Sequence, residues 1–124
     1  MRKQIVAGNW KMNKDYFSSE NFVSKLINLY KSTDTEVIIA PPFTSLRLSL
    51  NMLKGSSIDV AAQNMHFSES GAFTGEISAS MLKSIGVDTV ILGHSERRTY
   101  FNDTDSLLAK KVDTALAQGI RIIF

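Results

Sequence analysis

The sequence predicts an α/β fold with an all-parallel sheet, on three observations. Short apolar runs, most of them rich in β-branched residues, recur every few tens of residues: Ile5-Val6-Ala7, Glu36 to Ala40, Ile58 to Asn64, Asp88 to Leu92 and Ile120 to Phe124. Runs of this kind suit strands, the apolar ones being covered on both faces. A helical pattern separates each run from the next, and that alternation calls for parallel strands joined by right-handed crossovers. Finally, Asn9, Lys11, Gln63, Asn64 and His94 stand at the carboxyl ends of strands, where parallel α/β proteins build their sites. A closed barrel and an open doubly wound sheet both satisfy this pattern. A dinucleotide fold fits poorly, because Gly8-Asn9-Trp10 follows the first strand where a glycine-rich phosphate fingerprint would stand.

Taken in order, the first strand ends in polar groups, and Asn13 to Ser18 offers several helix caps. Phe22, Val23, Leu26, Ile27 and Tyr30 then recur on one helical face. Pro41-Pro42 stops the second strand, and Thr44 is the expected cap of a helix carrying Leu46, Leu50 and Leu53 to Gly55. After the third strand, Met65 to Ile77 reads as a loop rich in Ser and Gly, long enough to be functional or interfacial. Ser78 starts a third helix through Met81, Leu82 and Ile85. The fourth strand delivers His94, with Ser95 as the expected cap of a short helical turn. From about Asp103 a further helix presents Leu108, Val112, Ala115 and Leu116 before Gly119 and the fifth strand. Trp10, Phe43 and Tyr100 read as packing aromatics.

At 124 residues and 44% hydrophobic, the chain fits one small domain with enough apolar material for a core. Fourteen basic and 12 acidic residues are spread along it for a net charge of +2, so no electrostatic footprint for nucleic acid or an acidic membrane is visible. The absence of cysteine removes disulfides, zinc thiolates and cysteine nucleophiles together and fits a reducing compartment. Ile5-Val6-Ala7 is too short for a signal-peptide core or a membrane span, so a soluble cytoplasmic protein is the expectation.

His94 is the most chemically suggestive residue. An imidazole at the junction of a buried strand and a helical turn can accept a hydrogen bond from the turn's free N–H groups and then act as a donor through its other nitrogen. It can equally cap a loop and pack. Lys11 at a strand exit places a positive charge where an anionic substrate could bind, or is simply a solvated lysine.

Ala7-Gly8-Asn9-Trp10-Lys11-Met12-Asn13, Ala40-Pro41-Pro42-Phe43, Ala62-Gln63-Asn64, Gly75-Glu76 and Ile91-Leu92-Gly93-His94-Ser95-Glu96-Arg97-Arg98 together resemble the triosephosphate isomerase family, over the whole chain. The resemblance implies a (β/α)8 TIM barrel, of which residues 1–124 form a single domain, the amino-terminal half: four βα units plus the start of a fifth strand. It implies interconversion of dihydroxyacetone phosphate and glyceraldehyde 3-phosphate through an enediolate, in glycolysis and gluconeogenesis, without cofactor or metal. The family is itself the standard example of a neutral histidine electrophile paired with a glutamate base, so that pairing is carried over and not deduced from this sequence. By the same likeness Asn9 and Lys11 bind substrate, with Lys11 near the phosphate and the developing oxyanion. His94 donates to the carbonyl oxygen, and Glu96 pairs with the lysine and shares in proton handling, although a plain surface carboxylate would look the same. The Met65 to Ile77 loop resembles the family's dimer-forming loop. Thr74 would enter the partner subunit of a homodimer beside Asn9 and Lys11, and Glu76 would meet Arg97 of the partner subunit; on charge alone either residue could be solvated.

Such a barrel typically needs about 250 residues. The glutamate base, its mobile lid and the later phosphate loops belong to the half not represented here. Glu69 and Glu76 lie in the interfacial loop and Asp103 and Asp105 at a helix start, so none replaces the base. Ending on Ile122-Ile123-Phe124, inside an apolar strand, reads as truncation. The chain alone is therefore expected to be inactive. The alternative is a half-barrel structural or assembly module without catalysis.

Overall fold

Alternating β-branched runs and amphipathic stretches produce the expected order of elements in the computed structural model, which describes residues 2–124. The order is β1 (Ile5–Asn9), α1 (Tyr16–Leu29), β2 (Glu36–Ala40), α2 (Phe43–Met52), β3 (Ile58–Val60), α3 (Ala79–Ser84), β4 (Thr89–Ile91), α4 (Ser95–Tyr100), α5 (Asp105–Ala117) and β5 (Arg121–Ile123). The chain divides into two compact units, Met1–Gln63 and Asn64–Phe124.

In the first unit β2 is the middle strand of a parallel sheet of order β1-β2-β3, with Ile5 opposite Glu36 and Ile39 opposite Val60. Flanked on both sides, β2 buries Ile38, Ile39 and Ala40, and Val23 of α1 and Leu46 of α2 join them in the core. Each large aliphatic side chain so buried contributes about 1.5–3 kcal/mol. As an edge of this sheet, β1 leaves Ile5 and Val6 half exposed or more. The apolar stripe of α1 is only partly buried: Val23 is fully enclosed, but Phe22 and Ile27 remain exposed. Where α1 meets α2, the fully buried Ser45 hydroxyl donates to Ser19 Oγ at 2.9 Å.

The helix starts correct two sequence expectations and sharpen a third. Pro42, not Thr44, is the N-cap of α2, and no side chain caps it. Proline disfavours helical backbone in the residue before it, so the Pro41-Pro42 pair holds the chain extended up to the first possible helical position, and Thr44 falls inside the helix. At α4 the cap is His94 itself and Ser95 is the first helical residue. For α1 the cap is Asp15, whose Oδ1 accepts from the Ser18 N–H at 2.8 Å and from the Ser18 hydroxyl at 2.6 Å. The Ser18 hydroxyl, then the Ser18 N–H, hold the Asp15 carboxyl below its ordinary value of 3.8. A depressed carboxylate contributes stability that is complete above the unfolded-state value and is lost as pH falls through the folded one. The start of α1 is accordingly expected to fray only below the ordinary carboxylate range. Carbon NMR following the Asp15 carboxyl should give a midpoint below 3.8; a midpoint at or above that value would contradict the cap.

In the second unit β4 and β5 pair in parallel, Thr89 opposite Arg121 and Ile91 opposite Ile123. Val90, Leu92, Leu82, Leu108, Ala115 and Ile120 form its core. Residues 65–77 contain no helix or strand, yet the segment is built: the His66 ring lies 4.4 Å from Phe67 and 4.3 Å from Phe73 between centroids, and the His66 N–H donates to the Ile77 carbonyl. Tyr100 is 74% exposed and so is not the packing aromatic its sequence context suggests; Phe43, 38% exposed, packs only in part, and Trp10 packs edge-on against Phe22 at 5.1 Å. Among the described residues no helix is long and apolar enough to cross a membrane.

Candidate active-site residues and family

At the carboxyl end of β1 the chain turns sharply, and side chains hold the turn. Lys11 has φ of 55°, in the left-handed region that a non-glycine residue enters only at a cost. Asn9 Oδ1 accepts the Lys11 N–H at 2.9 Å, and the two hydrogens of Gln63 Nε2 are shared between the carbonyls of Lys11, at 2.9 Å, and Ala40, at 2.8 Å. Asn13 Nδ2 donates to the Trp10 carbonyl at 2.8 Å. Asn9 is thus engaged in bracing the backbone that carries Lys11, whose side chain is exposed at the strand end. Sequence reasoning placed Gln63 at a strand end without a role. Its partners, 52 and 23 residues away, carry no local signal.

At the end of β4, Leu92 still donates to the Ile123 carbonyl at 3.0 Å, Gly93 turns the chain with φ of 76°, and His94 caps α4. The cap is made by the ring: Nδ1 accepts the Glu96 N–H at 3.2 Å. In the neutral imidazole the proton is therefore assigned to Nε2, which becomes the donor. The Glu96 carboxylate lies 3.7 Å from the same Nδ1. That approach is an ion pair only for an imidazolium, and the N–H of Glu96 makes the closer contact with Nδ1. His94 is intermediate in exposure, as is Glu96.

The remaining predicted residues lie in the second unit. Thr74 and Glu76 are exposed in the 65–77 segment, with Glu76 Oε2 3.5 Å from His66 Nδ1. Arg97 is engaged within the chain: its Nε donates to Asp103 Oδ2 at 3.0 Å and its guanidinium lies over the Phe101 ring. Asp103 in turn accepts from Lys111, which also reaches Asn64 Oδ1 at 3.0 Å, and all three of Asn64, Asp103 and Lys111 are buried. This network was invisible in the sequence, where Lys111 sits on a helix as any solvated lysine would. Among the described residues no cluster of three or more His, Cys, Asp or Glu could hold a metal ion.

Parallel strands, the first four each followed by a helix, with polar side chains held at their carboxyl ends, define a protein of the parallel α/β class, here four βα units and a fifth strand. A family model described as triosephosphate isomerase matches residues 4–124, and the chain belongs to that family. It is 55% identical over 125 residues to the triosephosphate isomerase of Flavobacterium johnsoniae, covering all of this chain and 50% of that protein. The triosephosphate isomerase of Clostridium acetobutylicum is 55% identical over 120 residues, or 97% of this chain and 48% of that protein. That of Acetivibrio thermocellus is 52% identical over 122 residues, or 98% and 49%. The chain spans about half the length of the curated relatives it matches.

Proposed function

We propose that this chain is the amino-terminal half, as a single domain, of an aldose-ketose isomerase that interconverts dihydroxyacetone phosphate and glyceraldehyde 3-phosphate. The observation that carries the reading is the His94 ring, whose Nδ1 is occupied by the Glu96 N–H so that Nε2–H is the donor. A neutral donor of this kind can polarise a substrate carbonyl while a carboxylate elsewhere removes the proton from the adjacent carbon. The carbon-bound proton is returned to the neighbouring carbon while the hydroxyl proton passes from one oxygen to the other, so the carbonyl changes place with an enediolate between. Lys11 would meet the phosphate and the developing oxyanion, with Asn9 holding its backbone and contacting substrate, and Glu96 would share in proton handling. The family resemblance assigns the proton-abstracting glutamate to the other half. The reaction would serve glycolysis and gluconeogenesis in the cytoplasm, and the complete protein would be a homodimer in which Thr74 enters the partner subunit beside Asn9 and Lys11 and Glu76 meets Arg97 of the partner subunit.

A coupled assay tests this. A full-length chain carrying this sequence is expected to turn over at a rate within the usual enzyme range of about 1 to 1,000 per second, and the 124-residue chain not at all. Turnover by the short chain would show that the base is not needed from elsewhere. The exposed Ile5 and Val6 of β1 favour a second reading, an assembly module. It requires association without turnover even when a complementary half is supplied.

A further inference from the structure

We infer that Arg98 is a positioning residue for His94, acting through the carbonyl of Gly93. Gly93 and His94 share one peptide plane, so whatever fixes the Gly93 carbonyl fixes the plane from which the His94 side chain departs. That carbonyl accepts from Arg98 Nε at 2.9 Å. The same guanidinium reaches Asp105 Oδ1 at 2.7 Å through Nη1 and lies 5.6 Å from the centroid of the Phe124 ring. Gly93 has a φ of +76°, and a Cβ built on it would meet Phe124 Cζ at 2.9 Å and Arg98 Nη2 at 3.2 Å.

The other degrees of freedom of His94 are already taken. Its carbonyl accepts from the Arg97 and Arg98 N–H groups at 3.0 and 3.2 Å, and its Nδ1 from Glu96. The peptide that precedes it is the remaining variable, and Arg98 is the side chain that holds it. The donor to the carbonyl is Nε, partway along the side chain, while Nη1 extends beyond it to Asp105; a lysine ammonium, a single point at the end of its stem, does not place a donor where Nε stands. Asp105 is 92% exposed, so its ion pair with Arg98 is screened by solvent and adds little; the bond to the carbonyl carries the effect.

The kinetic consequence rests on the isomerase reading above, whereas the structural one does not. In a full-length chain, Arg98→Met is expected to lower kcat about 100-fold, the cost of a misplaced catalytic group, while KM changes by less than about threefold. Arg98→Lys should behave like Arg98→Met, and Asp105→Asn like the parent. Nitrogen NMR of the His94 ring should show displaced resonances in both Arg98 variants and parental ones in Asp105→Asn. Parental kcat or unmoved ring resonances in Arg98→Lys would overturn the inference, and that variant keeps it testable should Arg98→Met fail to fold. Displaced resonances in an Arg98 variant of a parent without isomerase activity would leave the positioning role standing and remove the isomerase reading.

Discussion

Replacement of His94 by glutamine in a full-length chain is expected to lower kcat about 100- to 1,000-fold, the range for loss of a preorganised donor to a developing oxyanion. The effect comes from geometry and not merely from the loss of an N–H, because glutamine also carries donors. His94 offers its donor from a ring whose opposite nitrogen is held by the Glu96 N–H and whose backbone carbonyl is held by the next turn. Glutamine has no such second anchor: an amide that caps α4 through its oxygen aims its NH2 on a different line and with an extra rotatable bond. Steady-state kinetics with either triose phosphate reads the loss, which should fall in kcat more than in KM if the bond strengthens in the transition state. Parental kcat in this variant would remove His94 from the reaction and leave it a helix cap.

The strands were legible because apolar runs such as Ile38-Ile39-Ala40 and Val90-Ile91-Leu92 bury side chains on successive positions, a property of composition. The helix starts were less so. Serine and threonine are good caps in general, which pointed to Ser95 and Thr44, but a proline pair fixed one start by sterics and an imidazole took the other through a ring nitrogen. The two candidate groups, Asn9 with Lys11 and His94 with Glu96, were visible as polar residues at strand ends and through family likeness. Their second layer was not. Gln63 on the Lys11 carbonyl, Arg98 on the Gly93 carbonyl and Asp103 on Lys111 depend on side chains reaching across turns or between elements, and no local periodicity encodes such a reach.

Asp103→Ala is expected to cost about 3–5 kcal/mol of stability, the usual result of breaking a buried ion pair by removing one partner. The carboxylate is 4% exposed as a residue and accepts from two cations, Lys111 Nζ at 3.2 Å and Arg97 Nε at 3.0 Å. Arg97 is partly exposed and can turn its guanidinium to water, whereas Lys111, 2% exposed, would keep only Asn64 Oδ1 at 3.0 Å. The penalty is thus chiefly that of a stranded ammonium and not the intrinsic worth of the pair. It follows that removing the ammonium as well should return most of the loss: Asp103→Leu with Lys111→Met fills the space with apolar atoms and leaves no buried charge. Denaturant unfolding of the parent, Asp103→Leu, Lys111→Met and the double variant closes the cycle, with Asp103→Ala measured beside them. Added salt should change little, because the pair lies beyond the reach of screening ions. An Asp103→Ala loss below about 1 kcal/mol, the range of exposed pairs, would mean that water reaches Lys111 in solution and that the network is a surface feature.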